Sequence, residues 1–146
     1  MLNYQKSKLV RNALADFINK YDWDFWMTGT FKEEMRVTDT FKAKKLFMRF
    51  IKVLGEKCGD IDFFMAVERF KNGDFTHIHC VLNGVGHLRY LEVWELWFKH
   101  YGRAVVAGYD RKLGAHHYLT KYVVKELCDW DFRIRLSPSA KLFKGV

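Results

Sequence analysis

The chain predicts an α+β domain, an antiparallel sheet with helices packed on its faces. Three observations predict it. An Asn-Gly pair, Asn72-Gly73, separates two apolar, β-type runs, the strongest short hairpin signal because a type I′ turn needs positive φ at both central residues. Amphipathic helical repeats stand before and after that hairpin rather than alternating with every strand. Finally, 146 residues with 49% hydrophobic content suffice for one buried core and are short for two, so a single domain spanning 1–146 is expected.

Taken in order, residues 5–20 predict a helix, with Leu9, Ala13, Phe17 and Ile18 near one face. Residues 22–31, DWDFWMTGTF, are aromatic and threonine-rich and predict a strand. After the charged loop KEEMRV, Thr38-Asp39 offers N-caps for a helix whose apolar face is Ala43, Leu46, Phe47, Phe50, Ile51 and Leu54, with Gly55 as its expected stop. Its lysines and Arg49 read as a solvated basic face. The hairpin strands follow at 61–70 and 74–82.

Residues 88–102, LRYLEVWELWFKHYG, predict a helix presenting Leu88, Leu91, Trp94, Leu96, Trp97 and Phe98, closed by Gly102. A short strand over 103–107 and a turn at 110–114 lead into a helix at about 115–127. Residues 131–136 alternate as an edge strand would, and the segment from about 137 to 146 is expected to be loosely held.

The formal net charge of +8 and pI near 9.4 favour polyanionic partners, and the 17% aromatic content could stack unpaired bases, which favours nucleic acid over membrane. No stretch approaches the ~18 apolar residues of a membrane span, and the first seventeen residues lack a signal-type apolar core. Cys58, Cys80 and Cys128 are scattered and form no C-x-x-C pair, so neither a disulfide framework nor a structural zinc site is indicated. A reducing cytoplasm is the expected location.

Chemistry concentrates at two runs. With Asn72 and Gly73 as loop residues, the hairpin register pairs Arg69 with Thr76, Glu68 with His77, and Ala66 with His79. Alternate residues share a face, so Glu68, His77 and His79 converge, and small Ala66 leaves room for an ion. A lone histidine on such a face is ordinarily a packing residue. Two opposite a glutamate point to a metal, because an unpaired carboxylate on a half-buried apolar hairpin is costly. Two nitrogens and one carboxylate admit zinc, manganese or magnesium, in a site with open positions.

The second run is YLTKYVVK, 118–125, where Lys121 follows Tyr118 by three residues and Lys125 follows Tyr122 likewise. On a helix, i and i+4 share a face, so both phenols could address one point beside an ammonium. Tyrosines at this spacing usually anchor a helix to a sheet. As nucleophiles they would need activation, since at pH 7 roughly one free phenol in a thousand is ionised.

FWMTGTF at 25–31, Glu68 with THIHCVL, and YLTKYVVK together resemble, in order and spacing, the three motifs of the HUH endonucleases, specifically the rolling-circle replication initiators of plasmids and single-stranded DNA viruses. The third motif is similar to the two-tyrosine form of phage gene A proteins. The resemblance covers about residues 24–128. It implies a ferredoxin-like or RNA-recognition-like fold with an antiparallel sheet of about five strands. It also implies His77, His79 and Glu68 as ligands of Mn²⁺ or Mg²⁺, and Tyr118 as first nucleophile on a phosphodiester of single-stranded origin DNA. Tyr122 would be the second nucleophile and Lys121 a phosphate or proton partner, with Thr28, Thr30 and Lys125 supporting DNA binding. No phosphate-binding loop of the G-x-x-x-x-G-K-[ST] type occurs, so helicase and polymerase are expected from the host. Two alternatives stand beside this reading: a single-tyrosine transposase of the same superfamily, and a non-catalytic module binding single-stranded nucleic acid.

Overall fold

A computed structural model describes residues 4–35, 37–69, 75–120 and 129–135. In these the chain forms α1 (Tyr4–Ile18), β1 (Phe25–Thr30), α2 (Thr40–Cys58), β2 (Asp62–Arg69), β3 (Thr76–Asn83), α3 (Tyr90–His100), β4 (Ala104–Gly108), a π-helical turn (His116–Thr120) and β5 (Asp129–Arg133). The strands make one antiparallel sheet in the order β4-β1-β3-β2-β5. The first four strands are in ferredoxin-like order, and β5 is added to the β2 edge, as the α+β reading anticipates.

The two sheet faces separate by residue parity. Phe63, Met65 and Val67 of β2 and Ile78, Cys80 and Leu82 of β3 face α2 and α3, where they join Phe47, Phe50, Leu54 and Trp97 in the larger core. Phe64, Ala66 and Val81 point the other way, toward Ile18 of α1 and toward Tyr118 and Leu119. Asp39 caps α2 by accepting the Phe41 N–H at 2.9 Å, an interaction worth about 1 kcal/mol.

Gly55 does not end α2, contrary to the expectation. The helix runs through it to Cys58, and Gly59 is the cap, with φ at 82° and its N–H donating to the Gly55 carbonyl. A glycine inside a helix costs only about 1 kcal/mol, which the buried face of α2 outweighs.

Gly29 has a different role. Its missing side chain admits the Trp97 indole, since a Cβ there would lie 2.6 Å from Trp97 Cε2. The indole N–H then donates to the Thr30 carbonyl at 3.0 Å.

The helical faces also differ from expectation. In α1, Leu9 and Ala13 are exposed, and Leu14, Ala15, Phe17 and Ile18 pack instead. In α3, Val93 and Trp97 are buried while Leu91 and Phe98 stand in solvent. Periodicity fixes which residues share a stripe but not which of two overlapping stripes meets the sheet. The last strand begins two residues earlier than expected, at Asp129. The expected helix over 115–127 is described only through Thr120, as the π turn, and the hairpin loop at 70–74 lies outside the described residues. So does the expected loose segment after 137.

Candidate functional site

The hairpin register is the one the Asn-Gly spacing predicts: Arg69 pairs with Thr76, Glu68 with His77 and Ala66 with His79. On the other side of β3, β1 places Thr28 opposite His79 and Thr30 opposite His77. The face bearing α1 therefore carries two adjacent rows, Thr30–His77–Glu68 and Thr28–His79–Ala66.

Within these rows a metal-type donor set forms. One ligand atom each from Glu68, His77 and His79 lies within 4.8 Å of the others. Ligand atoms around a single ion at about 2.0–2.2 Å lie up to about 4.4 Å apart, so small side-chain adjustments bring these three to one ion. His79 is buried, and its Nε2 lies 3.1 Å from Glu68 Oε1, while its Nδ1 lies 3.2 Å from Thr28 Oγ1.

With Nε2 protonated, the ring donates to Glu68 and accepts from the Thr28 hydroxyl. A metal on Nε2 requires the other tautomer, in which Nδ1–H donates to Thr28 Oγ1. Thr28 serves both states because a hydroxyl donates and accepts.

His77 is half-buried, and its ring centroid is 6.3 Å from that of His79. Burial first, then the neighbouring His79, holds its pKa below the ordinary histidine value, with Glu68 opposing the shift. An imidazole that stays neutral suits metal binding. Cys80, facing the other way, is buried in the larger core, where burial pushes its thiol pKa far up.

Tyr118 shares the sheet face but not the cluster. It is 8% exposed and packs on Trp26, Tyr109 and His117 at centroid distances of 5.4, 4.9 and 4.9 Å. Its hydroxyl accepts the Asp110 N–H at 3.2 Å. Asp110 follows the end of β4 where Gly108 pairs with Phe25, three residues up β1 from Thr28, or about 10 Å by strand rise. Tyr109 alongside is held protonated, its pKa pushed up to about 12 chiefly by burial, with Arg111 opposing.

Thr30 donates its hydroxyl to the Arg103 carbonyl at 3.0 Å, at the open end of the same row. His116 and His117 are exposed, as expected of a helix surface. Lys121, Tyr122 and Lys125 lie outside the described residues.

Two features escaped the sequence reading. One is the Thr28–His79 bond, which the T-G-T pattern signals only once β1 is known to neighbour β3. The other is the position of β5 beside β2, which sets Trp130 opposite Ala66.

Among the described residues no helix is long and apolar enough to cross a membrane. No curated protein and no solved structure matches the chain. A family model does match, over residues 24–127, which include β1 with its threonines, the donor set and the 118–125 run. The chain belongs to the family described as replication-associated protein ORF2, a family of replication initiators.

Proposed function

We propose that this protein nicks and rejoins single-stranded DNA at a replication origin through a phosphotyrosine intermediate, initiating rolling-circle replication of a plasmid or virus. The observation that carries this reading is the convergence of Glu68, His77 and His79 on one sheet face in a chain of a replication-associated family. Mn²⁺ or Mg²⁺ bound there would polarise the scissile phosphate, and oxygen-preferring ions suit that substrate.

The chain's own groups do the rest. His77 and His79 present nitrogen lone pairs, Glu68 supplies negative charge, and Thr28 fixes the His79 ring. A tyrosine oxygen attacks phosphorus while its proton passes to a neighbouring base or solvent. The P–O3′ bond breaks, the leaving oxygen takes up a proton, and a 5′-phosphotyrosine and a free 3′-OH result. No water is consumed, so a 3′-OH can reverse the step and join strands. Lys121 and Lys125 neutralise the phosphate beside each phenol, and the +8 charge of the chain draws the strand in.

Sequence resemblance gave the first attack to Tyr118. Because its hydroxyl rests on the Asp110 amide, away from the donor set, we assign the first attack to Tyr122. Tyr118 acts second, after its bond to Asp110 is released.

The buried seat of Tyr118 also favours a second reading, a non-catalytic single-strand-binding module in which this tyrosine only packs. One experiment separates the two. Protein incubated with origin-bearing single-stranded DNA and Mn²⁺ is run on a denaturing gel, and the adduct is mapped by peptide mass spectrometry. The nuclease reading expects DNA on Tyr122, lost in Tyr122→Phe and largely retained in Tyr118→Phe. Strand binding without any adduct supports the module. A single-tyrosine transposase would show one tyrosine sufficient for the whole cut-and-join cycle.

A further inference from the structure

One row of side chains continues past the donor set. Thr28, His79, Ala66 and Trp130 are register partners on β1, β3, β2 and β5 in turn. Cross-strand spacing of about 4.8 Å puts Trp130 roughly 10 Å from His79, the reach from a phosphate to a base of the same or the next nucleotide. Only the methyl group of Ala66 stands between them in the row.

Trp130 is 37% exposed and Phe132 43% exposed. Both rings lie nearly parallel to Phe64, at interplanar angles of 8° and 5°, with centroids 5.6 and 6.0 Å away. Phe17 of α1 meets Phe132 edge-on from the side, at 5.2 Å and 63°. The rings are thus held in a fixed, aligned rank while their outer surfaces stay in solvent.

The charges of β5 are on its other face. Asp131 pairs with Lys44 at 3.2 Å, and the Thr40 hydroxyl donates to Asp129. No carboxylate of β5 therefore repels a phosphate approaching the aromatic side. Across the sheet, exposed Arg103 stands next to Thr30, whose N–H donates to the Arg103 carbonyl at 2.8 Å. The face thus runs from a cation, through the donor set, to flat apolar rings.

We propose that Trp130, supported by Phe132 and Phe64, is a stacking platform for one unpaired base of single-stranded DNA adjoining the phosphate at the donor set. The assignment rests on the nuclease reading for the identity of that phosphate. Exposed apolar rings flanked by a metal-type site and an arginine on a chain of net charge +8 match a strand of bases joined by anions better than they match an apolar protein surface. Base stacking tolerates any sequence, so the platform sets where the strand lies and leaves sequence choice to other contacts.

The test measures affinity for origin-bearing single-stranded DNA in chelator, where no cleavage intervenes. Trp130→Ala weakens binding by about 5- to 150-fold, the range of one aromatic–base stack, whereas Trp130→Phe keeps most of the affinity. An abasic nucleotide is then walked along the oligonucleotide. In the wild type one position loses affinity, and in Trp130→Ala that position no longer matters, a result that mere unfolding would not give. Unchanged affinity in Trp130→Ala overturns the platform even if the wild type nicks DNA, as does an abasic profile identical in both proteins. Loss of a dimer in place of lost DNA affinity overturns it in favour of self-association. A tryptophan-dependent abasic position without any nicking upholds the platform and removes the nuclease reading instead.

Discussion

The two faces of the sheet are built from the same strands and are nevertheless different materials. The face under α2 and α3 is apolar throughout, with Phe63, Met65, Val67, Ile78, Cys80 and Leu82 packed against fully buried Phe47, Phe50 and Trp97. The opposite face begins in the same way at the Phe64–Val81 end and turns polar within two residues, at Glu68, His77 and His79. One face is sufficient to fold the domain. The polar half of the other is a cost to stability that a functional role explains.

The largest effect that could break this contrast is chemical. Changing both His77 and His79 to Ala should reduce Mn²⁺-dependent nicking to background while salt-sensitive DNA binding persists. If binding disappears in step with nicking, the polar patch is serving the fold or the interface rather than the chemistry.

Next comes Phe50→Ala on the closed face, expected to cost about 3–5 kcal/mol in denaturant unfolding because the site is densely walled by Phe47, Trp97 and Tyr101. The combined change Glu68→Met and His79→Leu should behave oppositely. Replacing a buried ionisable pair by apolar groups is commonly neutral or stabilising by about 1–4 kcal/mol, so unfolding should show no loss while nicking vanishes.

A smaller effect is expected at Thr28. Thr28→Val keeps the shape of the side chain but removes the hydroxyl that orients His79, and should weaken Mn²⁺ binding by about 10- to 100-fold, read by calorimetry. Smallest is the pH response. His77 has a folded pKa below its unfolded value, so its contribution to stability is fully present above the ordinary histidine value of about 6.5 and is lost as pH falls through the lower folded value. Without metal, His77→Gln should flatten that part of the stability profile.

The site was legible where its partners are close in sequence. Two loop residues, Asn72 and Gly73, specify the whole hairpin register, and with it Glu68 opposite His77, because a pleated strand alternates strictly. The same reading could not place Thr28 against His79, or Trp130 beside Ala66, since the order of strands across a sheet is set by which faces bury together and not by any local pattern.

The helix boundaries show a similar limit. Gly55 carries the signature of a stop, yet the packing of Leu54 and its neighbours carries α2 one further turn to Gly59. The seat of Tyr118 was hidden for another reason. Spacing of i and i+4 assumes an ordinary α-helix, whereas His116–Thr120 is wound as a π turn that rotates each side chain away from the α-helical projection.

The central claim is that the donor set serves covalent DNA chemistry. The direct measurement is the yield of protein–DNA adduct from origin-bearing single-stranded DNA with Mn²⁺, compared between wild type and the His77→Ala, His79→Ala double variant. The account predicts a tyrosine-linked adduct in the wild type, abolished by chelator and absent in the variant. An adduct formed equally by both proteins, or none from the wild type with either Mn²⁺ or Mg²⁺, would contradict it.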